Sequence, residues 1–131
     1  MILPYEIIHR SAVPAIRYMV AKKLIEEHSF TQKEAADKLR VTQAAISNYL
    51  RRTRAVAVKL DNNRKICSSV KELTDMLLDG DPDRPEVVEK ITDICDYMRK
   101  NRLLCNFHKK MEPSYNTEEC HACDEPFKVY F

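Results

Sequence analysis

The segment Thr31-Gln-Lys-Glu-Ala-Ala-Asp-Lys-Leu-Arg-Val-Thr-Gln-Ala-Ala-Ile-Ser-Asn-Tyr-Leu50 constrains the fold more than any other part of the chain. Thr31 and Glu34 have the spacing of a capping box, which predicts a helix over Gln32–Leu39 that buries Ala35, Ala36 and Leu39. Thr42 can cap a second helix, about Gln43–Arg51, with Ile46, Tyr49 and Leu50 facing inward. Two short helices joined so tightly must cross at a sharp angle, so the contact between them must be small. Ala36 leaves that room, Val41 plugs the core beneath the turn, and Ile46 anchors the second helix. The backbone after Leu39 is expected to be left-handed, where glycine sits without strain. Arg40 occupies that position, at a cost of about 1 kcal/mol.

This is the pattern of a helix-turn-helix, whose second helix presents its N-terminal and outer side chains to a DNA major groove. Thr42 and Gln43 open that helix, and Gln43 can pair bidentately with adenine. Ala44 can touch a thymine methyl, while Ser47 and Asn48, about one turn along, reach bases or phosphates. Arg51, Arg52 and Arg54 are expected to bind phosphate, adding affinity and salt dependence rather than sequence choice. Gln32, at a helix N-terminus, is a further phosphate anchor. The competing reading is a helical hairpin with a solvated basic face.

The rest of the chain predicts an all-α protein. One glycine and six prolines in 131 residues argue against a loop-rich β fold. A first amphipathic helix is expected from about Pro14 to Glu27, with Val13, Ile16, Val20 and Leu24 as its stripe. Residues Ala55–Lys65 are ambiguous between a short strand and an extended arm, with a turn at Asp61-Asn62-Asn63. A fourth helix is predicted over about Ser69–Leu78, and a fifth from Pro85 with Val87, Ile91, Ile94 and Met98 inward. No apolar run is long enough to span a membrane, and the first residues lack a signal-peptide pattern, so a cytoplasmic protein is expected. Residues 1–60 carry eleven Lys/Arg against five Asp/Glu, whereas residues 61–131 carry eleven against fifteen. A basic half before an acidic one fits a polyanion-binding module with a non-binding companion.

Four of the five cysteines fall in the last 37 residues: Cys95, Cys105, Cys120 and Cys123. Four thiolates can hold a [4Fe–4S] or [2Fe–2S] cluster or a tetrahedral zinc ion. One Cys-x-x-Cys pair plus two scattered cysteines fits a cluster better than a zinc ribbon, and a disulfide switch at Cys120/Cys123 is a third reading. On one unbroken helix, Cys95 and Cys105 would lie about 15 Å apart along the axis. Shared ligation therefore requires a helix break near Asn101-Arg102, where Asn101 tolerates the left-handed turn. Cys67 has no partner nearby in sequence and reads as a small buried hydrophobe. His108 and His121 can each replace a cysteine ligand.

Pro4-Tyr5-Glu6-Ile7-Ile8, Val13-Pro14-Ala15-Ile16-Arg17, the helix-turn-helix, Leu103-Leu104-Cys105-x-x-His108-Lys109 and the final Cys-x-x-Cys together resemble archaeal predicted transcriptional regulators of the XRE (lambda-repressor-like) class. The resemblance covers most of the chain and is weakest over residues 55–85. It implies a helical fold, specific binding of double-stranded DNA, dimers, and an iron–sulfur or metal site in a cysteine-rich tail. The family has glycine where this chain has Arg40 and Asn101. The expected organisation is a helix-turn-helix domain over 1–80 and a C-terminal helix with a cysteine-rich segment over 81–131. The expected function is a homodimeric transcription regulator, without enzymatic activity or a small-molecule substrate, that senses redox state, oxygen or iron through Cys95, Cys105, Cys120 and Cys123. A thiol redox enzyme built on Cys120/Cys123 and an RNA- or protein-binding adaptor are the competing classes.

Overall fold

The computed structural model describes residues 1–52 and 60–124, and within them every regular element is a helix. The order is α1 (Pro4–Ile7), a π-helical segment (Ile8–Ala12), α2 (Val13–Glu27), α3 (Gln32–Leu39), α4 (Gln43–Arg52), α5 (Arg64–Leu78), α6 (Pro85–Lys100) and α7 (Cys105–Met111). Among the described residues the architecture is all-α, as expected. None of the described helices is long and apolar enough to cross a membrane.

The expected first helix is present as α2, with Pro14 in its first turn, but helical backbone begins ten residues earlier, at Pro4. From Pro4 the helical path is continuous, and Pro14 sits inside it rather than opening it. An internal proline lacks an amide, and its ring presses on the carbonyl one turn back. The π segment relieves both, because the backbone there reaches back five residues: the Val13 N–H donates to the Ile8 carbonyl. The widened turn packs tightly, burying Ser11 and Ala12.

The predicted spans of α3 and α4 hold. The Thr31 hydroxyl accepts from the Glu34 amide at 3.1 Å, and Glu34 Oε1 accepts from the Thr31 amide at 3.1 Å. Arg40 is left-handed, with φ 54°, and Val41 N–H closes the turn on the Ala36 carbonyl at 3.0 Å. The fourth helix begins earlier than expected. Asn63 ends the Asp61–Asn63 turn and also caps α5, its Oδ1 accepting from the Ile66 amide at 3.0 Å. The ambiguous stretch Ala55–Lys65 lies partly outside the described residues, and its last two residues, Arg64 and Lys65, already belong to α5.

Two apolar clusters hold the bundle together. The larger draws on every helix except α4 for its fully buried residues, from Ile7 through Ile16, Val70 and Ile94 to Phe107. It is continuous across position 80, in the loop between α5 and α6 where the domain boundary is expected from the sequence. The smaller consists of Ala21, Ala36 and Ile46, one residue from each of α2, α3 and α4. Two alanines let the backbones approach, and Ile46 fills the gap completely, as the sequence pattern requires.

Candidate nucleic-acid interface and cysteine cavity

With Ile46 fully buried, the opposite face of α4 must look outward. Thr42, Gln43 and Ala44 are exposed, Ser47 and Asn48 are half-exposed, and Arg51 is exposed. Gln32 is exposed in the first turn of α3. Thr42 Oγ1 accepts from the Ala45 amide at 3.1 Å, so its hydroxyl is committed to capping the helix. Arg52 closes α4, and Arg54 lies outside the described residues. One contributor is invisible to the sequence pattern. Arg17 of α2 donates from Nη1 to the Tyr49 hydroxyl at 3.2 Å, bracing α4 from behind and placing a cation beside it. No spacing rule connects positions 32 apart, so nothing in the local pattern points to this pair.

The chain breaks between α6 and α7 where shared thiol ligation requires it, but the left-handed residue is Arg102 (φ 58°), not Asn101. Asn101 instead turns its side chain back, Nδ2 donating to the Tyr97 carbonyl at 2.8 Å. Arg102 is held by its own guanidinium. Nη1 donates to the Cys120 carbonyl and to Asp124, each at 2.9 Å, and Nη2 donates to the Thr117 carbonyl at 2.6 Å. Arg99, almost fully buried, adds Nη1 to the Cys123 carbonyl at 3.1 Å. Two arginines at the end of α6 therefore grip the backbone of the Cys-x-x-Cys loop.

The break opens a cavity of about 350 Å³. Cys105, Cys120 and Cys123 line it together with His108, and Ile2, Leu3, Pro4 and Ile7 from the start of the chain form its apolar wall. Burial pushes the Cys105 thiol up, and Cys120 and Asp124 add to that while Arg102 opposes it. Burial likewise raises Cys123, followed by the charges of Cys105 and Cys120. The three thiols thus feel one another, and a cation binding them must displace protons. Cys120 also raises the Tyr115 hydroxyl, whose ring stacks on His108 with centroids 4.5 Å apart. Among the described residues, no three His, Cys, Asp or Glu side chains are arranged to hold a single metal ion.

Cys95 is placed differently. It is buried in the main apolar cluster on α6, is not among the residues lining the cavity, and is pushed up to about 11 by burial and then by Asp96. Cys67 is half-buried rather than fully enclosed, its thiol donating to the Asp61 carbonyl at 3.2 Å. His121 is exposed and paired with Asp124, Nδ1 to Oδ2 at 2.7 Å.

A helix-turn-helix family model matches residues 22–60, a span that takes in the end of α2 and all of α3 and α4. This segment is similar to helix-turn-helix domains of the XRE type, a similarity that suggests DNA binding. The match covers under a third of the chain and leaves the cysteine cavity outside it. No curated protein and no solved structure matches the chain.

Proposed function

We propose that this chain is a sequence-specific regulator of transcription that binds double-stranded DNA as a homodimer and carries an iron–sulfur cluster in its cysteine cavity as a sensor of redox state, oxygen or iron. The observation that carries the DNA-binding part is the exposed row Thr42, Gln43, Ala44 and Arg51 on a helix whose other side is locked down by Ile46. Gln43 supplies paired donor and acceptor for a base edge, and Arg51 supplies charge for phosphate. A dimer follows from information content, since one ten-residue helix reads too few base pairs to single out a site.

The cluster reading rests on three thiols around a shared cavity. Thiolates around one zinc ion stand only about 3.8 Å apart, given Zn–S bonds of about 2.3 Å. A cluster accepts more widely spaced thiolates, in keeping with side chains that do not converge on a single ion. Arg99 and Arg102 lie on the cavity wall, paired with Asp96 and Asp124. Such a cluster supplies a charge that changes by one electron. The chain's own residues link that site to DNA, because the cavity wall Ile2–Ile7 opens the helical path that continues into α2, on which α4 is seated.

The test is selection of duplexes from a random pool by the full chain, followed by titration of wild type and Gln43→Ala. The variant is expected to lose about 1–3 kcal/mol on the selected site and far less on other DNA. Equal losses on every duplex, or no enrichment, would remove α4 as a reader of sequence. Anaerobic purification with iron and sulfide analysis tests the sensor, and a protein holding neither overturns it.

A further inference from the structure

The thiols and the imidazole lining the cavity fall into two close pairs. Cys105 and His108 are three apart on α7, and Cys120 and Cys123 are three apart in the loop beyond it. Residues three apart on a helix share a face. Two close pairs of Cys or His across a spacer form the spacing typical of four-coordinate protein metal sites. The set that counts cysteines alone lacks it, because Cys95 lies ten positions before Cys105 and is enclosed in the core.

His108 is also dressed as a ligand. Its Nε2 is 3.0 Å from Glu112 Oε1. An ionised carboxylate only accepts, so Nε2 carries a proton, and it is Nδ1 that is left to offer a lone pair to a metal. Metal-bound imidazoles characteristically rest their other N–H on a carboxylate in this way. The stacked Tyr115 ring fixes the plane of the imidazole.

We propose that the metal group of this cavity is ligated by Cys105, His108, Cys120 and Cys123, with Glu112 orienting His108, and that Cys95 is not a ligand. This rests on reading the cavity as a metal centre and deepens it. A lone zinc ion would need these same four side chains to close on one another, and the experiment separates it from a cluster.

The full-length chain is reconstituted anaerobically with ferrous iron and sulfide, or in parallel with zinc alone, and metal and sulfide per chain are measured beside the visible spectrum. Cys95→Ala is expected to load like wild type. His108→Ala is expected to lose at least tenfold in metal affinity, and Glu112→Gln to lose about 10–100-fold through the ring it no longer orients. His108→Cys is expected to restore loading, which guards against a folding defect, and to lower the reduction potential of an iron–sulfur centre. Loading that survives His108→Ala but not Cys95→Ala overturns the donor set while leaving the metal centre intact. A wild-type chain that takes up neither metal overturns both. Zinc bound without iron or sulfide, lost in His108→Ala and kept in Cys95→Ala, supports the donor set and removes the cluster.

Discussion

Arg40 holds the left-handed position of the α3–α4 turn while its Nε donates to Asp83, 3.1 Å away in the loop between α5 and α6. Nη2 lies a further 3.8 Å from Asp81. The residue that strains the turn therefore ties it to a distant loop. An exposed pair of this kind contributes roughly 0–1 kcal/mol, the same order as the backbone cost of a non-glycine residue there. Arg40→Gly should change stability by less than about 1 kcal/mol, whereas Arg40→Ala, which keeps the strain and loses the pair, should be less stable than Arg40→Gly by about 1 kcal/mol. Urea melts of both variants at low and high salt check this. A glycine variant less stable than the alanine one would refute it.

Ile46 is wholly buried with Ala21 and Ala36, in a cluster against which Ile25, Leu39, Val41, Tyr49 and Leu50 pack. Ile46→Ala should cost about 2–5 kcal/mol. Ala36→Leu should cost about 1–3 kcal/mol through overpacking at the α3–α4 crossing. Thermal melts followed by circular dichroism measure both, and a neutral Ala36→Leu would show that the crossing is looser than described.

Arg51 is exposed at the far end of α4. Arg51→Ala should weaken binding to all duplexes by a similar factor and reduce the slope of log K against log salt by about 1. Anisotropy titrations across a salt series provide the slope. An unchanged slope would mean that Arg51 meets no phosphate.

Cys95 provides a pH signature. Its pKa is raised in the folded protein to about 11 from an ordinary value of 9.0, with burial as the first cause. The fold keeps this thiol protonated, so the associated stability is complete below pH 9 and is lost as pH rises from 9 to 11. Cys95→Ala should flatten the alkaline side of the stability profile in that window. In metal-free protein at about pH 8, below the ordinary thiol pKa, Cys95 should also react with iodoacetamide after Cys105, Cys120 and Cys123, as mass spectrometry would detect. Early labelling would contradict its burial.

The helix-turn-helix is legible in the sequence because its signals are local. A capping box, a small residue at the crossing and an apolar plug each act within a few residues of one another, and α3 and α4 appear where they direct. Pro14 misleads for a physical reason. A proline in a helical pattern normally opens a helix, and only the π turn, whose geometry no side chain announces, lets the chain pass through it. Intrinsic preference favours Asn101 for the left-handed position between α6 and α7, but tertiary contacts decide it. Arg102 repays its backbone strain through Thr117, Cys120 and Asp124, residues 15 to 22 positions away. The same holds for the cysteine site. Counting thiols puts Cys95 in the set, whereas the chain path puts His108 on the cavity wall and Cys95 in the core. The Cys105-x-x-His108 pair is visible in the sequence, and its signal lies in reading the histidine as an equal partner.

The helical path from Pro4 to Glu27 contains no loop, so the cysteine cavity and the seat of α4 are mounted on one shaft. Pro4 at the cavity and Ala21 beneath Ile46 are separated by about 25 Å at about 1.5 Å per residue. The π turn between them is a phasing device. Its one extra residue offsets the two ends of the shaft by about 100° around the axis. Deleting a single residue from Ile8–Ala12 would leave a regular helix at both ends yet point the cavity wall the wrong way, parting the two sites without removing a single residue from either.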